Sequence, residues 1–292
     1  MCIRDRISSG RNLDPDKLHN VIREAFPDAE MVEVRQGPDG SYVLNAFDNN
    51  GEPIGNAVRI GTDFDYQSSD LSKTSQINAP PAPENAQPWD PAPGPIAKWE
   101  QTTTAQRVAA DESDASLAFF GDSHLERYRY YGARSWKTNF RDALNLGLSG
   151  DSTRQALQRI SDGLFDNYTP KRLVLMLGTN NINDFDTGGT NEEIAKGVAK
   201  VIEAIRERSP KTKIVLVSIL PRRHEPHNER IEAINKLLSK LITRRTFFLD
   251  VYDQFKGSPV RNDLYLPSDN HLNAKGYRIL GSRLREVLDP IT

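Results

Sequence analysis

The chain has 292 residues, 37% of them apolar, five histidines, one cysteine and a formal net charge of −2. That length fits one main domain of ordinary size plus a smaller unit, with enough apolar residues for a core. The balanced charge gives no support to nucleic-acid binding, and no run of eighteen apolar residues exists to span a membrane.

Residues 1–11 are expected to be non-native or disordered. Met1-Cys2-Ile3-Arg4-Asp5-Arg6 resembles a translated sequencing-adapter remnant, so a native start, with any signal peptide, is expected to be missing. Residues 12–66 read as a small α+β unit. Asp14-Pro15 can open a helix carrying Leu18, Val21, Ile22 and Ala25, and strands are expected at 31–34, 42–44 and 57–60. This pattern, with its Phe26-Pro27-Asp28-Ala29 turn, is faintly similar to a PepSY-type module. At such a size the unit would be only marginally stable alone. Residues 67–95 hold seven of the eighteen prolines and read as a semi-rigid, extended linker, which tilts the reading towards export. The first 95 residues carry eight basic and fifteen acidic side chains, the remainder thirty and twenty-five. Opposite signs would favour docking of the small unit on the larger one. An acidic solubilising segment is the simpler reading.

From residue 96 the pattern becomes that of an alternating α/β domain. Strands are expected near 116–120, 143–147, 172–177, 213–219 and 246–251, and helices near 152–162, 191–208, 228–242 and 273–288. Ile214-Val215-Leu216-Val217-Ser218-Ile219-Leu220 lacks the polar alternation of a half-solvated strand, so both its faces should be covered. Ile194, Val198, Val201, Ile202 and Ile205 form one helical stripe, opened by a capping box of Thr190 and Glu193. Ile231, Ile234, Leu237, Leu238 and Leu241 repeat it. The alternation predicts a doubly wound, flavodoxin-like parallel sheet of about five strands.

Chemistry-bearing residues follow those strands. Gly121-Asp122-Ser123-His124 comes after Leu117-Ala118-Phe119-Phe120, which puts the Ser123 hydroxyl beyond the carboxyl end of a buried strand, where open α/β sheets keep their ligand crevice. Gly-Asp-Ser alone is ordinary turn chemistry. Three further segments change its weight: Asn145-Leu146-Gly147-Leu148-Ser149-Gly150-Asp151-Ser152-Thr153, Gly178-Thr179-Asn180-Asn181, and His271-Leu272-Asn273 with Gly276-Tyr277. Together, over about residues 116–289, they resemble the four sequence blocks of the GDSL, or SGNH, hydrolases. The resemblance is nearest the branch of platelet-activating-factor acetylhydrolase catalytic subunits and bacterial acyl and carbohydrate esterases. A serine hydroxyl needs a base to take its proton, and imidazole titrates in the useful range, so His271 is the candidate base. The resemblance implies an oxyanion hole of the Ser123 and Gly150 backbone N–H groups and the Asn180 side-chain amide. Turn and loop-capping roles are the alternatives for Gly150 and Asn180.

At the third triad member the sequence departs from the family. The expected aspartate, three residues before the histidine, is replaced by Ser268, and Asp269 lies two residues before. Either Asp269 serves after a local change of register, or Ser268 or a backbone carbonyl orients His271 in a dyad, or activity is weakened; Asp269 is the favoured reading. The Gly-x-Ser-x-Gly elbow of the α/β-hydrolases is absent, since His124 and Leu125 follow Ser123. His124 is read as cleft lining or helix start. His224-Glu225-Pro226-His227 reads as loop decoration rather than a metal set. Arg222 and Arg223 could meet an anionic substrate, solvated arginines being commoner. Tyr128-Arg129-Tyr130-Tyr131 lines an acyl or sugar pocket or simply packs.

The reading is a serine esterase without metal or organic cofactor, acting on a small acyl ester, above all an acetyl group on carbohydrate. The alternatives are a lysophospholipase or platelet-activating-factor acetylhydrolase-like lipid esterase, and a binding domain with a decayed triad. A phosphate- or nucleotide-binding protein is weaker, because no Gly-x-Gly-x-x-Gly or phosphate loop follows the first strand.

Overall fold

The computed structural model describes residues 89–94, 99–182, 189–222, 227–256, 262–266 and 270–291, and the backbone of three strands nearer the amino terminus. The expected helix over 14–25, and Arg223, His224, Glu225, Ser268 and Asp269, lie outside the described residues. The chain divides into two compact units, Met1–Thr74 and Ser75–Thr292.

In the first unit β1 (Met31–Gln36), β2 (Tyr42–Phe47) and β3 (Pro53–Ile60) form an antiparallel sheet in the order β1-β2-β3, with a register shift between Leu44 and Ala46.

The second unit begins with α1 (Trp99–Asp111), which was not expected from the sequence. Its sheet holds β4 (Leu117–Gly121), β5 (Leu144–Gly147), β6 (Arg172–Met176), β7 (Lys213–Val217) and β8 (Thr246–Leu249), all parallel, in the order β5-β4-β6-β7-β8. This is the doubly wound, flavodoxin-like α/β order that the sequence predicts. Three short helices follow β4: α2 (Ser123–Glu126), α3 (Tyr128–Tyr131) and α4 (Ala133–Asn139). The larger helices are α5 (Thr153–Ser161), α6 (Asn191–Arg208), α7 (His227–Leu238) and α9 (Ala274–Leu288), with α8 (Tyr252–Phe255) between the last two.

Successive strand residues serve opposite layers, as the pleat demands. Phe120, Leu173, Leu175, Ile214 and Leu216 join the stripes of α5, α6 and α7 on one face, including the whole buried set Ile194, Val198, Val201, Ile202 and Ile205. Phe119, Val174, Met176, Val215 and Val217 meet α2–α4 and α9 on the other. The Thr190–Glu193 capping box is present. Tyr128 is a core residue rather than a pocket lining: it stacks on Tyr277 with ring centroids 4.6 Å apart and meets Phe119 edge-on.

β7 ends earlier than its apolar run. Ser218 still donates its N–H to the Leu249 carbonyl at 3.0 Å; beyond it the Asn235 side chain takes over both polar groups of Ile219, accepting from its N–H at 2.8 Å and donating to its carbonyl at 2.9 Å. Asn228 does the same for Arg222, at 2.8 Å in each direction. Two amides on α7 thus keep a buried, non-strand segment satisfied, which periodicity cannot show.

Candidate active site

In this strand order the crevice falls beyond the carboxyl ends of the central strands, where the connections after β4 and β6 leave for opposite faces of the sheet. The loops after β4, β5 and β6 carry Ser123, Gly150 and Asn180 to that edge.

Ser123 is placed by backbone packing. A Cβ on Gly121 would lie 2.1 Å from the Met176 carbonyl oxygen, and one on Gly147 would lie 2.2 Å from the Glu126 nitrogen, so β4, β6, β5 and α2 approach as only glycine permits. Asp122 then caps α2, its carboxylate accepting from the His124 N–H at 2.9 Å. Ser123 opens the helix, where its own N–H has no intrahelical acceptor. Glu126 ties α2 to the next loop by accepting from the Ser149 N–H at 2.7 Å and from the Ser149 hydroxyl.

The Ser123 Oγ lies 2.7 Å from Nε2 of His271. Two segments 148 residues apart in sequence are therefore brought into hydrogen-bond contact. His271 follows Tyr265, whose segment pairs with Leu272 in an antiparallel bridge, and its carbonyl accepts from the Leu266 N–H at 2.9 Å. Asn273 starts α9 by accepting from the Gly276 N–H at 3.0 Å. On the far edge of the ring, Arg127 Nη1 lies 2.9 Å from Nδ1. A guanidinium only donates, so in this contact Nδ1 is the accepting atom. Sequence reasoning missed Arg127, which lies a single helical turn after Ser123.

His124 is buried in α2, with its ring centroid 5.2 Å from that of His271. It packs beside the His271 ring.

Gly150 has φ 83°, a left-handed conformation that suits glycine. Asn180 donates from Nδ2 to the Asp151 carbonyl at 2.8 Å, which leaves the second N–H of that amide for another acceptor. Its neighbour Asn181 accepts from the Thr153 N–H at 3.1 Å and donates to the Thr153 hydroxyl at 2.9 Å, locking the loop after β6 to the start of α5. Arg222 is not a solvated arginine but a buried one. Its guanidinium donates to the Thr179 carbonyl, and to the Thr179 hydroxyl at 3.0 Å, so it holds the loop that carries Asn180.

Two carboxyls beneath this edge are shifted. Burial pushes Asp122 up to about 7, against the His124 N–H and with Asp151 adding to the rise. Burial also pushes Asp151 up to about 6, opposed by Arg159 and the Trp99 N–H. Of the four residues His224–His227 only His227 is described, at the start of α7.

These features define a hydrolase of the nucleophile–base kind on a flavodoxin-like sheet. The GDSL-like Lipase/Acylhydrolase family model matches residues 119–279, more than half of the chain, and the protein belongs to that family. It is an ester-hydrolysing serine hydrolase. The chain is 30% identical over 193 residues to platelet-activating factor acetylhydrolase IB subunit alpha1 of Bos taurus, a match covering 62% of this chain and 79% of that protein. It is 29% identical over 186 residues to the alpha2 subunit of Rattus norvegicus, covering 61% and 77%. Among solved structures, a GDSL-like lipase of Bacteroides thetaiotaomicron superposes with a TM-score of 0.55 at 18% identity, over 66% of this chain and 98% of that one, a likeness of fold.

Proposed function

We propose that the protein hydrolyses small acyl esters, acetyl esters foremost, through an acyl-enzyme on Ser123. The observation that carries this reading is the 2.7 Å contact of Ser123 Oγ with His271 Nε2, at the strand edge where Asn180 has an amide hydrogen to spare. The names of the curated relatives, platelet-activating factor acetylhydrolases, support acetyl as the acyl group. Carbohydrate is the proposed alcohol, on the resemblance of the motifs to those of bacterial carbohydrate esterases. The relatives' names favour a second reading, an acetylated phospholipid.

In the proposed cycle Ser123 Oγ attacks the ester carbonyl carbon while Nε2 of His271 takes the hydroxyl proton. The carbonyl electrons move to oxygen, and the oxyanion accepts from the Ser123 and Gly150 N–H groups and from Asn180 Nδ2. As the tetrahedral intermediate collapses, the alcohol leaves with the proton from Nε2. Water then repeats the sequence on the acyl-enzyme, giving the free acid and restoring Ser123. For Nε2 to act as base the ring proton must sit on Nδ1, facing an acceptor. We assign that acceptor to the Asp269 carboxylate. Residues 12–66 are proposed as a separate unit joined by the linker 67–95 to a hydrolase domain over 96–292.

The test is a substrate panel: p-nitrophenyl esters from acetyl to octanoyl, an acetylated xylo-oligosaccharide and a 2-acetyl phospholipid. The proposal expects kcat/KM to fall with acyl length and to be greatest on the sugar acetate. Preference for the phospholipid selects the second reading, and preference for octanoyl esters contradicts both.

A further inference from the structure

The segment before β4 lies outside the residues that define the family match, yet it reaches directly into the site. Asp151 is where it arrives. This residue adjoins Gly150 in the chain, and its carbonyl accepts from Asn180 Nδ2 at 2.8 Å, so two of the three proposed oxyanion donors are anchored on a single residue. Its carboxylate is fully buried. One oxygen accepts from the Trp99 indole N–H at 2.9 Å and the other from Arg159 Nη1 at 2.6 Å. Gln106, two turns along α1 from Trp99, accepts from Arg159 and donates to the Gly147 carbonyl at 3.0 Å, at the base of the same loop.

The indole is itself fixed. A Cβ on Gly94 would lie 1.9 Å from Trp99 Cδ1 and 2.2 Å from Nε1, so the backbone at residue 94 presses against the ring edge that carries the N–H. Residues 90–93 are fastened to α5: Ala92 N–H donates to the Arg154 carbonyl at 3.4 Å, Arg154 Nε to the Asp90 carbonyl at 2.9 Å, and Gln155 Nε2 to the Pro93 carbonyl at 3.1 Å. The end of the Pro-rich stretch and α1 together form a strap across α5 and the loop after β5.

We propose that Trp99 is a positioning residue for the esterase reaction, its indole N–H holding the Asp151 carboxylate while the Gln106 amide holds Arg159, the other partner of that carboxylate, and the Gly147 carbonyl, so that Gly150 and Asn180 present their donors in register. A buried carboxylate that loses a donor keeps its desolvation cost and seeks another partner. The lowest-cost response is a shift of the Gly150–Asp151 peptide, and oxyanion donors lose effect steeply with misplacement. Because the donors act on the transition state, the loss falls on kcat rather than on KM.

This inference rests on the esterase reading, and the experiment separates the two. Hydrolysis of p-nitrophenyl acetate by the wild-type chain tests the reading; the ratio of variant to wild type tests the strap. Trp99→Phe keeps the ring and removes the N–H, and is expected to lower kcat about tenfold, roughly 1.4 kcal/mol of barrier, with KM within twofold. Gln106→Met, partly exposed and similar in shape, should lower kcat severalfold, and Gly94→Ala should act like Trp99→Phe by displacing the indole. In an Asn180→Ala background Trp99→Phe should cost less than it does alone, since one of the two donors it positions is already gone. The side-chain amide resonances of Asn180, read by NMR without substrate, should move in both Trp99→Phe and Gln106→Met. Wild-type kcat in the folded variants, a fully additive loss with Asn180→Ala, or unmoved Asn180 resonances would overturn the proposal.

Discussion

Ser123 and His271 are 2.7 Å apart, yet they are held by different kinds of structure. The serine sits where strands and a helix meet through glycines with no room for a Cβ, so its place follows from backbone packing alone. The histidine stands on the loop after the last strand, fixed by an isolated bridge and a cap, and its far ring edge faces an arginine. On the proposed mechanism, nucleophile geometry is therefore built into the sheet, while base geometry depends on which side chain reaches Nδ1. The first should respond to substitutions that alter the backbone; the second is where the proposed mechanism sets activity.

The largest expected effects are at the base end. His271→Ala should lower kcat on p-nitrophenyl acetate by about 10⁴-fold or more, and Asp269→Asn by about 10³-fold with the thermal midpoint unchanged. Full activity in Asp269→Asn would make Ser123 and His271 a dyad. Ser268→Asp in the Asp269→Asn background sharpens the point: recovery of turnover requires the position three residues before His271 to face the ring.

At the nucleophile end, Asn180→Ala should lower kcat by about 10²-fold and leave KM nearly unchanged. A change confined to KM would make Asn180 a substrate-binding residue instead.

Backbone clamping predicts a stability effect in place of a chemical one. Gly147→Ala forces a methyl against the Glu126 nitrogen and should destabilise by roughly 1–3 kcal/mol in urea unfolding. If it unfolds like wild type, close approach is not what positions α2.

A further expected effect is a pH dependence of stability. Asp122 and Asp151 have carboxyls raised by burial, to about 7 and about 6, above the ordinary value of 3.8 they recover on unfolding. Between about pH 4 and 7 the folded state binds the extra protons, so its stability should fall as pH rises through that window and level off above it. Asp122→Asn should flatten the profile. A stability that climbs from pH 4 to 7 would contradict the shifts.

The same contrast explains what could be read in the sequence. Strand, glycine turn and serine are consecutive in the chain, so Ser123 was legible, as were Asn180 after β6 and the stripes of α6 and α7. Short helices were not: α2–α4 lack the length for a periodic stripe, and the sequence left Tyr128 between pocket lining and packing, where it is core. Arg222 read as a surface charge because its partner, Thr179, is 43 residues away. Trp99 and Asp151 are 52 apart, and only the fold unites them. Strands ended one or two residues early wherever an apolar run continued as a buried turn, as at Ser218–Leu220.

The central claim is that Ser123 is the residue acylated. Incubation with a fluorophosphonate probe, followed by peptide mapping by mass spectrometry, tests it most directly. The account predicts one adduct, on Ser123, absent from His271→Ala and from protein unfolded beforehand. An adduct on another serine, or none on protein that hydrolyses p-nitrophenyl acetate, would contradict it.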